Sequence, residues 1–142
     1  MNVKQNTAMT RRIYLLFLML LAFGVAACSG QTGYTTQTAQ VDGVTIGFEH
    51  PSQAELLKTY DVFVTLKDAS GRPINGADVV INMDMPAMSM GSNRPVADSA
   101  GDGRYRISTA YSMDGDWVIT VEAEVNGNTY RATFDQMVQL QG

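Results

Sequence analysis

The sequence predicts an all-β protein: an immunoglobulin-like antiparallel β-sandwich of about seven strands, preceded by an N-terminal signal peptide. Three observations predict it. Apolar residues alternate with polar ones over short runs, those runs recur at intervals near ten residues, and no helical period occurs outside the N-terminal apolar stretch.

Val44, Ile46 and Phe48 alternate, as do Tyr60, Val62, Val64 and Leu66. Residues 52–58 between them read as a connecting loop, with room for one helical turn. Asp68-Ala-Ser-Gly-Arg-Pro73 reads as a turn, and Ala77, Val79, Ile81 and Met83 line one face of the next strand. After an irregular stretch, Tyr105, Ile107, Thr109 and Tyr111 alternate, followed by Trp117, Ile119, Val121 and Ala123. Asn126-Gly127-Asn128 is a hairpin signal, because Asn and Gly tolerate the positive φ of a tight turn. Tyr130, Ala132 and Phe134 form the closing strand, and Trp117 is the expected central core residue.

The N-terminus has three parts. Lys4, Arg11 and Arg12 form a positive region, and Ile13 to Ala27 runs without a charge. That run is short for a helix crossing roughly 30 Å of hydrocarbon, but it suits a secretion signal. It ends in Val25-Ala26-Ala27-Cys28, a sequence that resembles the lipobox of bacterial lipoproteins. Residues 1–27 are therefore expected to be the signal peptide and Cys28 the lipidated residue. Residues 28–40 then form a lipidated, flexible polar tether reaching on the order of 20 Å, and residues 41–142 the folded domain. The expected location is the cell envelope, anchored by lipid and facing away from the cytoplasm, with the outer membrane favoured in a Gram-negative host because Ser29 follows the cysteine.

Composition excludes several functions. The chain has 10 basic and 14 acidic residues. Losing Lys4, Arg11 and Arg12 with the signal takes the net charge from −4 to about −7, which disfavours nucleic acid and anionic headgroups as partners. Cys28 is the one cysteine, so the domain has no disulfide and no thiol for catalysis. One histidine and no free thiol leave too few ligands for zinc. Asp98 to Gly103 lacks the spacing and closing Glu of a calcium loop. No nucleophile elbow, phosphate loop or dinucleotide fingerprint occurs, and the expectation is that the protein is not an enzyme.

Methionine supplies the chemistry that remains. Met83-Asp-Met85-Pro86-Ala87-Met88-Ser89-Met90 packs four thioethers into eight residues. Thioether sulfur is soft and needs no deprotonation, so it suits Cu(I) over hard cations. Pro86 ends strand pairing, leaving Met88 and Met90 on a loop that can curl back toward Met85. The expected metal ligands are Met85, Met88 and Met90, with Met83, Met113 and His50 as possible additions. Methionine also fills cores, and Met83 fits that role because it continues the face of Ala77, Val79 and Ile81. Met113 either caps the core near Trp117 or serves as a fourth ligand. His50, between Glu49 and Pro51, is either a surface residue or a copper ligand. The loop could instead be an apolar patch that docks on another envelope protein.

Gly76-Ala77, the segment Met83 to Gly91, Gly103-Arg104-Tyr105 and Met113-Asp-Gly-Asp-Trp117 occur in an order that resembles the YtkA-like domain family, which is related to FixH. The resemblance spans roughly residues 44–125, and its firm part falls on Met85, Met88, Met90 and Met113. It implies an immunoglobulin-like, exported or membrane-bound domain and, for some members, copper handling for respiratory oxidases. The lipobox departs from the transmembrane helix usual in FixH-type proteins. The expected function is thus a membrane-tethered Cu(I) chaperone or buffer exchanging copper with an oxidase or efflux partner; the alternative is a non-metal interaction module of the envelope.

Overall fold

The computed structural model describes residues 33–88 and 94–139. Eight strands run in order: β1 (Tyr34–Val41), β2 (Val44–Pro51), β3 (Thr59–Lys67), β4 (Asp78–Asp84), β5 (Asp98–Gly101), β6 (Arg104–Ala110), β7 (Gly115–Val125) and β8 (Asn128–Val138). All pairings are antiparallel, and they form a five-stranded sheet, β1-β2-β3-β6-β5, and a three-stranded sheet, β4-β7-β8. No helix occurs among the described residues. The predicted all-β sandwich is the fold found.

The alternation in the sequence becomes the two inner faces. Ile46, Phe48, Val62, Val64, Leu66 and Ile107 from the larger sheet meet Val79, Ile81, Ile119, Val121 and Phe134 from the smaller. Each such side chain contributes roughly 1.5–3 kcal/mol on burial. Phe48 and Phe134 stack across the sheets with ring centroids 5.6 Å apart. Thr109 donates its hydroxyl proton to the Met83 sulfur at 3.0 Å, a second cross-sheet link.

The turns follow their residue chemistry. Val125 pairs with Asn128, leaving a two-residue loop in which Asn126 has φ 51° and Gly127 φ 79°. Both positive angles match the turn type that continues the strand twist. In the turn after β3, the Asp68 carboxylate accepts the amide protons of Ser70 (2.8 Å) and Arg72 (3.0 Å) and pairs with the Arg72 guanidinium.

Two elements differ from expectation. The polar tether ends earlier than predicted, because residues 34–40 belong to β1. This strand pairs along its whole length with β2, and the Gln37 amide donates to the Asp135 carbonyl at 2.8 Å, fastening it beside β8. The domain therefore begins near residue 34, not at 41. Its threonines suit an edge strand that has one half-solvated face. The irregular stretch also contains structure: Asp98–Gly101 forms β5, joined to β6 by a tight turn at Asp102 and Gly103. Just before it, Ile81 donates to the Pro95 carbonyl (3.2 Å) and Ala97 to the Val79 carbonyl (2.8 Å). Residues 95–97 thus cover the free edge of β4 before the chain changes sheets.

Strand direction brings one set of termini together. The start of β1 pairs with the end of β2, and the start of β3 with the end of β6. The start of β7 pairs with the end of β8, near the end of β4. Gln136 near the end of β8 donates to the Pro51 carbonyl at the end of β2, so these groups share one end of the sandwich.

A methionine-lined cleft at one end of the sandwich

The turn after β4 and the paired ends of β7 and β8 enclose an open cleft of about 770 Å³. Met85, Pro86, Ala87 and Met88 form one wall, Asp114 to Val118 the base, and Asp135, Gln136 and Met137 the other wall. Pro86 stops the ladder of β4, and Met88 turns back to donate its amide proton to the Met85 carbonyl at 2.9 Å. This tight turn puts two methionines on the same cleft at different depths. Met85 is buried, whereas Met88 is 47% exposed.

Pleating sets the opposite wall. Phe134, Gln136 and Val138 point inward on β8, so Asp135 and Met137 point outward. Asp116 on β7 faces Met137, and Val118 faces Asp135. Asp114, Asp116 and Asp135 give the cleft three carboxylates, and among the described residues no lysine or arginine lines it. Its potential favours a cation.

Below the cleft, Trp117 is buried and donates its indole proton to the Met113 carbonyl at 3.1 Å. Tyr111 meets the Trp117 ring edge to face, with centroids 5.6 Å apart. Trp117 is therefore a core residue as predicted, but it closes one end of the sandwich and does not sit at its centre.

A buried polar chain supports this floor. The Tyr111 hydroxyl donates to the Gln136 side-chain carbonyl, and the Gln136 amide donates to the Pro51 carbonyl at 3.3 Å. Burial raises the pKa of the Tyr111 hydroxyl, so it remains a proton donor. Pro51 also accepts from Nδ1 of His50 at 3.0 Å. A carbonyl only accepts, so Nδ1 carries the proton and Nε2 accepts from the Gln37 amide at 3.1 Å. Burial lowers the His50 pKa, against a smaller opposing effect from the Pro51 hydrogen bond.

The predicted ligands separate accordingly. Met85 and Met88 share the cleft. Met90 and Cys28 lie outside the described residues. Met83 is buried in the core, with its sulfur engaged by Thr109. Met113 is half-buried against the core and supplies its carbonyl to Trp117. His50 is buried, not on the surface, and both ring nitrogens are engaged. Neither Met83, Met113 nor His50 lines the cleft.

The sequence reading missed Asp135, Gln136 and Met137. The one available signal was Met137 itself, an apolar residue at the outward phase of a strand that otherwise places Thr129, Arg131, Thr133 and Asp135 on that face.

Among solved structures, the chain is similar to the Lin-41 filamin domain at 16% identity, covering 75% of this chain and 97% of that one, with a TM-score of 0.47. It is similar to the PmoD soluble domain from Methylocystis sp. (Rockwell) at 12% identity, covering 72% and 96%, with a TM-score of 0.47. A third is the superoxide reductase (neelaredoxin) from Ignicoccus hospitalis, at 9% identity, 80% and 86% coverage and a TM-score of 0.43. No curated protein matches the chain. The sequence profile of the YtkA-like family matches residues 38–122, more than half of the chain, and the protein belongs to the YtkA-like family.

Proposed function

We propose that this protein is a lipid-anchored, extracytoplasmic Cu(I)-binding protein, acting as a chaperone or buffer. The observation that carries this reading is the shared cleft: Met85 and Met88 line it together with Asp114, Asp116 and Asp135. Soft sulfur selects Cu(I) over Mg²⁺ or Ca²⁺, and the carboxylates attract a cation without having to ligate it. Copper is here the cargo, held by neutral ligands that release no proton when it arrives.

Topology adds a constraint on the partner. The chain enters β1 at the same end of the sandwich as the cleft. With Cys28 lipidated, only residues 29–33 separate the anchor from β1 in the sequence. Such an attachment favours a copper-exchanging partner embedded in the same membrane.

The test is a Cu(I) competition titration against a chromophoric chelator, using the full chain in mild detergent under reducing conditions. A variant with Met85, Met88 and Met90 all changed to Leu keeps the apolar volume and removes the sulfur. Wild type should retain copper and the variant lose it. The lone tryptophan, Trp117, lines the cleft and supplies a second readout through its emission. Equally poor retention by both would sink the copper reading. It would favour the other use of an exposed Met88, an apolar surface that docks on an envelope protein. For the anchor, a labelled fatty acid should enter wild type and not Cys28→Ala.

A further inference from the structure

We propose that Met137, near the end of β8, supplies a thioether to the same site, so that copper is held between the turn after β4 and the opposite wall of the cleft. This inference rests on the copper reading above and names a ligand which the local methionine motif does not contain.

Met137 lines the cleft with Met85 and Met88, although it lies 49 residues beyond Met88 in the chain. The β7–β8 pairing brings it there, with Met137 directly opposite Asp116. Packing does not account for it. Met137 is 61% exposed, on a strand whose other outward residues are Thr129, Arg131, Thr133 and Asp135. An apolar side chain at the outward phase gains little from burial there, which leaves its sulfur as the distinctive property.

Its present contacts are weak and exchangeable. The Gln139 amide approaches the Met137 sulfur at 3.3 Å in an exposed contact. Met137 also borders a smaller depression lined by Ser52, Gln53, Ala54 and Gln139, so the side chain has room to move. The strand fixes its backbone, however, through the paired register with β7. A site with one ligand on a rigid strand and others on a short turn combines a fixed wall with an adjustable one. Asp116 and Asp135 flank Met137 on the outer face and stabilise the positive charge that three neutral thioethers would leave uncompensated.

The test compares the full chain, Met137→Leu and the control Thr133→Val, an outward residue of the same strand away from the cleft. Cu(I) affinity is measured by chelator competition, and sulfur coordination by X-ray absorption of the copper-loaded protein. The expected result for Met137→Leu is at least tenfold weaker retention and one fewer sulfur scatterer than wild type, with Thr133→Val unchanged on both counts. Wild-type binding with unchanged affinity or sulfur number in Met137→Leu overturns the inference and leaves the copper function standing. Failure of wild type itself to bind copper overturns both.

Discussion

The terminal methyl of Met85 stands 2.9 Å from the point where a Cβ on Gly115 would lie. The buried methionine of the cleft thus rests on a residue that has no side chain. Gly115 also has φ 128°, a conformation reserved for glycine. Because the methyl is the far end of a flexible side chain, it can move aside, and the backbone strain remains. Gly115→Ala should cost about 1–3 kcal/mol in chemical denaturation. The same variant should weaken Cu(I) retention, because Met85 must leave its position.

Gly103 provides the contrasting case. A Cβ there would meet the Leu66 carbonyl oxygen at 2.6 Å, Pro73 Cβ at 2.9 Å and the Ile74 nitrogen at 3.0 Å, at φ 68°. Two of those atoms are backbone, and the Leu66–Gly103 and Ile74–Leu66 hydrogen bonds hold them in place. Gly103→Ala should cost more than Gly115→Ala, above about 3 kcal/mol, because overpacking adds to the strained dihedral. Denaturation midpoints and soluble yield measure the order, and the reverse order would refute this account.

Tyr111→Phe removes the proton that satisfies the buried Gln136 carbonyl. An unsatisfied buried acceptor costs about 1–3 kcal/mol. The prediction is a loss of that size in urea denaturation. Since Gln136 also lines the cleft, the Trp117 emission should shift in the folded variant.

Acid sensitivity should be traceable to His50. Its pKa in the folded protein lies below the ordinary value of 6.5, because burial disfavours the imidazolium. The unfolded chain therefore binds this proton more readily. The contribution of neutral His50 is complete above about pH 6.5 and diminishes as the pH falls toward the folded-state pKa. Urea denaturation at pH 7.5 and 5.0 should show a larger loss for wild type than for His50→Gln, which cannot titrate. An equal loss would mean that protonation of His50 does not oppose folding.

The legibility of the fold varied with burial. Strands β2, β3, β4, β6, β7 and β8 bury one face each, so period-two alternation exposes them directly. Strands β1 and β5 escaped because neither carries a fully buried residue; in β1 only Ala39 and Val41 pack against the core, and only in part. All four residues of β5 are exposed, and β1 consists largely of Thr and Gln. Both strands are held largely by pairing with β2 and β6, and pairing leaves no hydrophobic period to read.

The candidate site was half legible. The motif around Pro86 marked Met85 and Met88 as neighbours, because a proline followed by small residues forces the chain to turn. By contrast, His50 looked like a surface residue next to a proline, and its burial depends on Gln37, Phe48 and Pro51 coming together.

The sequence by itself determined the all-β class, the hairpin at Asn126 and Gly127, and the local methionine cluster, since each depends on neighbours within a few positions. Only the tertiary structure decided which methionines share a cleft. Met83 went to the core because its strand phase points inward, and Met137 came to the opposite wall because β8 pairs back along β7. Strand phase is local, but which strands become neighbours is set by packing two apolar faces against each other, and that choice assembles the cleft.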